Sequence, residues 1–313
     1  MSLPKRLIDF LIVLIGVSIL SFALSEISNV DPAEAIARQQ ISNASPELIE
    51  SIRKEYGLDR PIIERYFSWM AGILKGNFGI SYMTRHSVSA DIAVLMPKTL
   101  ALSAFALLLI IAIALPAGAL CALYHNSVFD HIMRWVTVIG ICIPVFWLGF
   151  LLLIQFAVNL SLFTVTAQPG MKGRILPAIS LAMPALCAAI RLFRSSLLSE
   201  MSADYVAYLR SRGQSKNRIL WMHAVRNALP PMITLFASYA GSLVAGSAVV
   251  ESIFSIRGFG VFLIEAVIAR DLPVISAATL IIASIFVLLN LIADIAGRLL
   301  CPRIAVKEDA DAS

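Results

Sequence analysis

Side chains able to do chemistry are few and scattered in this 313-residue chain. Its four histidines, His86, His125, His131 and His223, share no metal-ligand spacing, and its four cysteines, Cys121, Cys142, Cys187 and Cys301, fit neither a zinc site nor a disulfide framework. The histidines read as surface or interfacial side chains, and the cysteines as small apolar fillers. Cys142, Met183 and Cys187 could in principle meet a soft metal, but such side chains are far more often core, and a metal carried as a chelate would not need them. The sequence contains no Gly-x4-Gly-Lys-Ser/Thr phosphate loop and no His-Glu-x-x-His pair, so it has no visible means of hydrolysing ATP or activating water. No catalytic residue, metal or cofactor is expected in this chain, and any energy it uses must come from a partner.

The most organised chemistry is a block of charge. Residues 204–231, DYVAYLRSRGQSKNRILWMHAVRNALPP, carry five Lys/Arg against Asp204, in a chain that is 59% hydrophobic and only 14% charged. Asp204 to Arg212 has helical periodicity, with Tyr205, Tyr208 and Leu209 on one side. Gly213 breaks it, and Ser215 can cap a second helix through Ile219, Leu220 and Met222 that is interrupted at Pro230-Pro231. A topology signal needs two or three cations, whereas the loop from Arg191 to Arg226 holds seven. Asp204, Tyr205, Tyr208, Arg210, Arg212, Gly213 and Ser215 therefore read as a docking surface for another subunit.

The elements that position this loop follow from composition. Soluble domains carry roughly 25% charged residues, so a membrane protein is the first expectation. The net charge of +5 is broken up by apolar runs, without the aromatic-interleaved basic face that nucleic acid would need. Stretches free of Asp, Glu, Lys and Arg lie within Thr99–Phe129, Trp135–Met171, Ile175–Ile190, Asn227–Val250 and Leu272–Ala293. With the N-terminal apolar run, they predict an all-α protein of six transmembrane helices. That first run, after Lys5 and Arg6, lacks a convincing cleavage site and is expected to stay as a helix. The short fourth span holds Pro177 and Pro184 and is expected to tilt or kink, borrowing the stems of Arg174 and Arg191.

Six spans put Lys5, Arg6, Arg134, the 191–226 loop, Arg298, Arg303 and Lys307 on one side, which the positive-inside rule makes cytoplasmic with both termini. The expected organisation is a transmembrane helix at 1–28, an external domain at 29–98, the main membrane domain at 99–300 and a cytoplasmic tail at 301–313. In the external domain, Ser45-Pro46-Glu47 starts one helix and Gly57 stops it, while Asp59 and Pro61 start a second that ends near Gly76. Their apolar faces are expected to pack on each other and on the mouth of the spans. Glu251 at the outer end of span five, and Asn290 and Asp294 on one face of span six, are the candidates for a pathway or gate. Their structural alternative is local pairing, Asp294 with Arg298 in particular.

The pattern Asp204-Tyr205-Val206, then cations, then Gly213, then His223-Ala224-x-Arg226-Asn227-Ala228-Leu229-x-Pro231 resembles the cytoplasmic coupling loop of inner-membrane permeases of bacterial ABC importers, in the dipeptide, oligopeptide and nickel branch. The resemblance extends over nearly the whole chain through Asp31-Pro32, Tyr56-Gly57-Leu58-Asp59, Gly76-Asn77-Phe78-Gly79 with Ser81, Ile175-Leu176-Pro177, Glu251 with Ile253-Phe254, Gly258-x-Gly260, Arg270-Asp271 with Pro273-Val274-Ile275, and Asn290 with Asp294. It implies a second permease, two ATP-binding subunits that hold ATP and Mg, an external substrate-binding protein, and a bacterial inner membrane. Two departures stand out. Ala207 replaces the glutamate that other ABC permeases carry in this loop, so no salt bridge from it can be transferred, and Ile256-Arg257 replaces the usual Trp-Pro before the outer glycines. The rival from another class is a secondary transporter driven by an ion gradient, which would favour mid-bilayer acids, broken helices and an internal repeat. Here the acids lie near span ends and no repeat is detected.

Overall fold

The computed structural model describes residues 3–27, 31, 33–34, 36–37, 41, 44–165 and 170–300, with the side chains at 3–7, 9, 24–25, 293–294 and 296–300 outside the description. Among these residues the chain is helical and forms no strand. The helices are α1 (Leu3–Ile27), α2 (Pro46–Glu55), α3 (Ile62–Leu74), α4 (Val88–Leu123), α5 (Val128–Cys142), α6 (Val145–Leu153), α7 (Lys172–Met201), α8 (Asp204–Ser211), α9 (Lys216–Ile219), α10 (Val225–Ile253), α11 (Phe259–Ala269) and α12 (Leu272–Leu300).

Four helical stretches are long and apolar enough to cross a bilayer: Val88–Leu123, Lys172–Met201, Lys216–Ile253 and Leu272–Ile292. Residues 128–159 make a fifth if α5, α6 and the following π-helical turn are taken as one span, although the two parts are bent by 101°. The α1 backbone is helical for 25 residues, and its apolar stretch is Phe10–Ala23.

The break within the expected third span has a local cause. Ile143 is extended, with φ −73° and ψ 122°, and Pro144 precedes α6. Proline lacks the N–H a helix needs, and its ring drives the preceding residue out of the α region. Other prolines do not act this way. Helix α7 runs unbroken for 30 residues through Pro177 and Pro184, so Arg191 lies inside it rather than in a loop. Helix α10 likewise continues through Pro230-Pro231, where an interruption was expected. Membrane helices tolerate proline when packed neighbours and local π adjustments take up the freed backbone groups, and a π turn does occur at Leu220–Ala224.

The described residues fall into two compact units, one drawn from 99–257 with 286–300 and the other from 3–98 with 258–285. In the first, Leu102, Ile110, Phe193, Ile219, Leu220 and Met232 centre the core. In the second, Val88, Ile92, Phe259, Phe262 and Val274 pack together. The expected outer loop from Glu251 to Asp271 contains α11, whose 11 residues span only about 16 Å. Asp271 caps the next helix through Val274 N–H and accepts from Ser81 Oγ at 2.6 Å and Met83 N–H at 2.9 Å.

Between α1 and α4 the local signals hold. Ser45 Oγ accepts from Leu48 N–H, and the Ser45 hydrogen bond holds the Glu47 carboxyl below its ordinary value. The expected mutual packing of the two amphipathic helices does not occur. Ile52 of α2 is buried against Ala33 and Ala37, while α3 turns Tyr66 and Trp69 onto Phe22 of α1. Pro61, without a side-chain bond, occupies the cap of α3, so Asp59 does not cap it.

Helices α10 and α12 meet at a glycine. A Cβ at Gly241 would fall 2.4 Å from Phe286 Cδ2 and 3.2 Å from its Cα, whereas one at Gly246 would meet nothing within 4 Å. Gly241→Val should therefore lose about 1–3 kcal/mol to overpacking and lower the thermal midpoint in detergent, with Gly246→Ala close to wild type. Equal midpoints for the Gly241 variant and wild type would contradict this contact.

Candidate functional site

The residues of the 204–226 loop singled out in the sequence form one structure with a buried side and an exposed side. Val206, Ile219, Leu220 and Ala224 face the core. Tyr208, Arg210, Arg212, Trp221 and Met222 are exposed, and the Arg212 guanidinium lies 5.7 Å from the Tyr208 ring centroid. This separation follows from the amphipathic pattern, because an eight-residue helix cannot hold itself in water and must lean on packed neighbours.

Three polar anchors fix the loop. Tyr205 donates to Glu200 Oε2 at 3.0 Å, and Asn227 Nδ2 donates to the same oxygen at 3.1 Å, tying the end of α7 to the starts of α8 and α10. Burial, then the Glu200 hydrogen bond and charge, push the Tyr205 phenol above its ordinary pKa, so it remains a donor throughout the neutral range. Lys216 Nζ donates to the Leu123 carbonyl at the end of α4, an orphan acceptor of that helix. Ser215 caps α9 by accepting from Arg218 N–H. Asp204 is exposed in the first turn of α8, where its charge suits the helix dipole.

The turn itself is a Schellman closure. Gly213 N–H reaches the Arg210 carbonyl at 2.9 Å and Gln214 N–H reaches the Leu209 carbonyl at 3.2 Å, with Gly213 at φ +77°. Nothing lies within 4 Å of a Cβ built there, so the demand for glycine is set by the backbone alone.

The proposed pathway residues are not gathered into one site. Glu251 is fully buried in the last turn of α10, where Thr99 Oγ1 and Ser247 Oγ donate to its Oε1, linking α4 to α10. Asn290 accepts from Ser238 Oγ at 3.2 Å and donates to the Phe286 carbonyl at 3.0 Å. Ser238 is 13 residues before Glu251, which is about 20 Å along α10. The side chains of Asp294 and Arg298 lie outside the described residues. Among the described residues no three His, Cys, Asp or Glu side chains assemble as metal ligands.

One polar centre was missed in the sequence. Asp130 is fully buried near the start of α5 and accepts from Arg194 Nε at 2.6 Å and Nη2 at 2.7 Å, with Asn126 N–H as a further donor at 3.0 Å. This fork joins α5 to α7 across 64 residues of sequence. Ser127, three residues before Asp130 and bonded to its N–H, was a legible cap, but nothing local announced the arginine.

Residues 114–306 match the family described as binding-protein-dependent transport system inner membrane component, and residues 2–103 match that family's N-terminal region. The chain belongs to this family. The permease is similar to the di/tripeptide transport system permease protein DppB of Pseudomonas aeruginosa, 33% identical with 92% of this chain and 94% of that one covered. It is also similar to the oligopeptide transport system permease protein AppB of Bacillus subtilis, at 34% identity with 96% and 98% covered, and to the dipeptide transport system permease protein DppB of Escherichia coli, at 31% with 94% and 95%. The resemblance first drawn from the coupling loop thus holds for family and branch, and the permease is an inner-membrane transport component.

Asp130→Asn keeps shape but removes the charge opposite Arg194. Breaking a buried pair in this way costs about 3–5 kcal/mol, so the variant should show a markedly lower thermal midpoint in detergent. A midpoint within error of wild type would mean that the fork adds no stability.

Proposed function

We propose that this permease forms half of the translocation path of an ATP-driven importer, alongside a second related permease, two ATP-binding subunits and an external substrate-binding protein. Peptides are the favoured cargo, because the relatives that match over nearly the full length carry peptide transport in their names; nickel and metal chelates are the alternative. ATP and Mg belong to the partner subunits. In the membrane the chain crosses six times, with the bent pair at 128–159 as one crossing and α1 as another, leaving both termini cytoplasmic, residues 29–98 outside and 301–313 as an inner tail.

The observation that carries this proposal is the anchored loop with its exposed aromatic and cationic face. Tyr205 and Ser215 position the loop, Gly213 sets the angle between its helices, and Asp204, Tyr208, Arg210 and Arg212 meet the ATP-binding subunit. Closure of that subunit on ATP moves α8 and α9 as a unit, and the buried contacts of Val206, Ile219 and Leu220 pass the motion to the spans. Glu251, Asn290 and Asp294 are the candidates for the pathway or its gate, with local pairing as the alternative; the bonds from Thr99 and Ser247 to Glu251 and from Ser238 to Asn290 favour that alternative. The break at Pro144 is a feature that a gradient-driven transporter would favour, but membership of a binding-protein-dependent family weighs against a chain that works alone.

Gly213→Val is the sharpest test. A branched side chain at φ +77° costs about 1–2 kcal/mol of backbone strain, too little to unfold the packed spans yet enough to reset the turn. The variant should insert and express normally while losing uptake and the stimulation of ATP hydrolysis by loaded binding protein. Charge reversal at Arg210 and Arg212 should instead weaken assembly with the ATP-binding subunit. Wild-type uptake by the Gly213 variant in a fully assembled complex would refute the coupling role.

A further inference from the structure

Helix α3 presents an apolar stripe that nothing in its own compact unit covers. Ile63, Phe67 and Leu74 are 71%, 65% and 81% exposed, with Met70 half-buried among them. Where this stripe points follows from three contacts with α1. Tyr66 Oη and Ser18 Oγ are hydrogen-bonded at 2.7 Å, Phe22 meets the rings of Tyr66 and Trp69 at 5.4 and 5.5 Å, and Arg65 grips Glu26 through both carboxylate oxygens at 2.8 and 2.7 Å. Ser18 and Glu26 are eight residues apart, which is about 12 Å along α1. Glu26 ends the charge-free run of α1, and Ser18 lies in the middle of that run. Arg65 therefore marks the water side of α3, and Tyr66 marks the side nearer the bilayer centre.

At about 100° per residue, the positions around α3 keep that order. Beyond Tyr66, on the deep side, come Met70, Ile63, Leu74 and Phe67 within a further arc of about 100°. Beyond Arg65, on the opposite side, come Ser68 and Glu64. The apolar stripe thus points inward along the same direction as the apolar part of α1, whose Ile12, Ile15, Ile19 and Leu20 are also exposed.

We infer that α3 is an interfacial helix, lying in the plane of the outer leaflet with Ile63, Phe67 and Leu74 in the acyl region and Glu64, Ser68 and Lys75 in water. Its occupant is lipid. This rests on α1 crossing the bilayer, as proposed above. The helix would brace the outer end of α1.

The test uses single spin-labelled cysteines in the full-length chain, in a background lacking its four native cysteines, reconstituted in phosphatidylethanolamine–phosphatidylglycerol vesicles. Labels at Ile63, Phe67 and Leu74 should collide with dissolved oxygen and be shielded from a water-soluble nickel chelate, with the reverse order at Glu64, Ser68 and Lys75. Chelate access at all six positions would overturn the inference. Shielding of the stripe from both reagents would also overturn it, in favour of a protein occupant such as a second copy. A label at Ile15 separates the two layers of the claim: chelate access there means that α1 does not cross and the inference falls with it, whereas shielding at Ile15 with access at Phe67 removes the inference alone.

Discussion

A bilayer offers no hydrogen-bond partner to a polar group, and the rest of this structure depends on that constraint. Backbone groups meet it by staying in helices, which is why apolar stretches here become long helices and why the 101° break within residues 128–159 sits where Pro144 removes an N–H. Side chains meet it by pairing. The carboxylate of Asp130 takes a guanidinium and a backbone N–H, Glu251 takes two hydroxyls, and Asn290 takes a hydroxyl while giving to a carbonyl. Each pair links two helices, so groups that the membrane would reject become the cross-links of the fold.

Charge without an internal partner is pushed to the ends of spans, and the 204–226 loop shows what that makes available. Its core side is apolar and packed, with Val206, Ile219, Leu220 and Ala224 buried among residues of the long helices. Its other side keeps Tyr208, Arg210 and Arg212 in water, where arginine and aromatic side chains are effective contacts for another protein. Packed attachment on one face and free chemistry on the other are what the proposed transmission role requires.

Features that act within three or four residues were legible in the sequence. Ser45 and Ser215 cap, Gly57 and Gly213 stop, and their neighbours are fixed by local bonds alone. Features closed over long separations were not. Thr99 and Glu251 are 152 residues apart, and Ser81 and Asp271 are 190 apart. Both members of the second pair were noticed as family markers without any sign that they touch. Proline was the hardest to read, because its effect depends on packing: Pro144 ends a helix, while Pro184 and Pro230 sit inside helices that neighbours hold. The 101° bend within residues 128–159 was hidden for the same reason, since a charge-free run says nothing of a bend within it. In the candidate site, the docking face was visible as excess charge with helical spacing, but the Tyr205–Glu200–Asn227 anchor depended on three elements meeting.

On the function proposed above, the exposed face of the 204–226 loop is where this permease meets its motor. A photo-crosslinking side chain placed at Tyr208 in the intact membrane complex tests it most directly. Tyr208 should crosslink to an ATP-binding subunit in high yield, while the same probe at Trp135, exposed on α5, should give lipid adducts and no ATP-binding subunit. Crosslinking of Tyr208 only to lipid or to the permease itself would contradict the account.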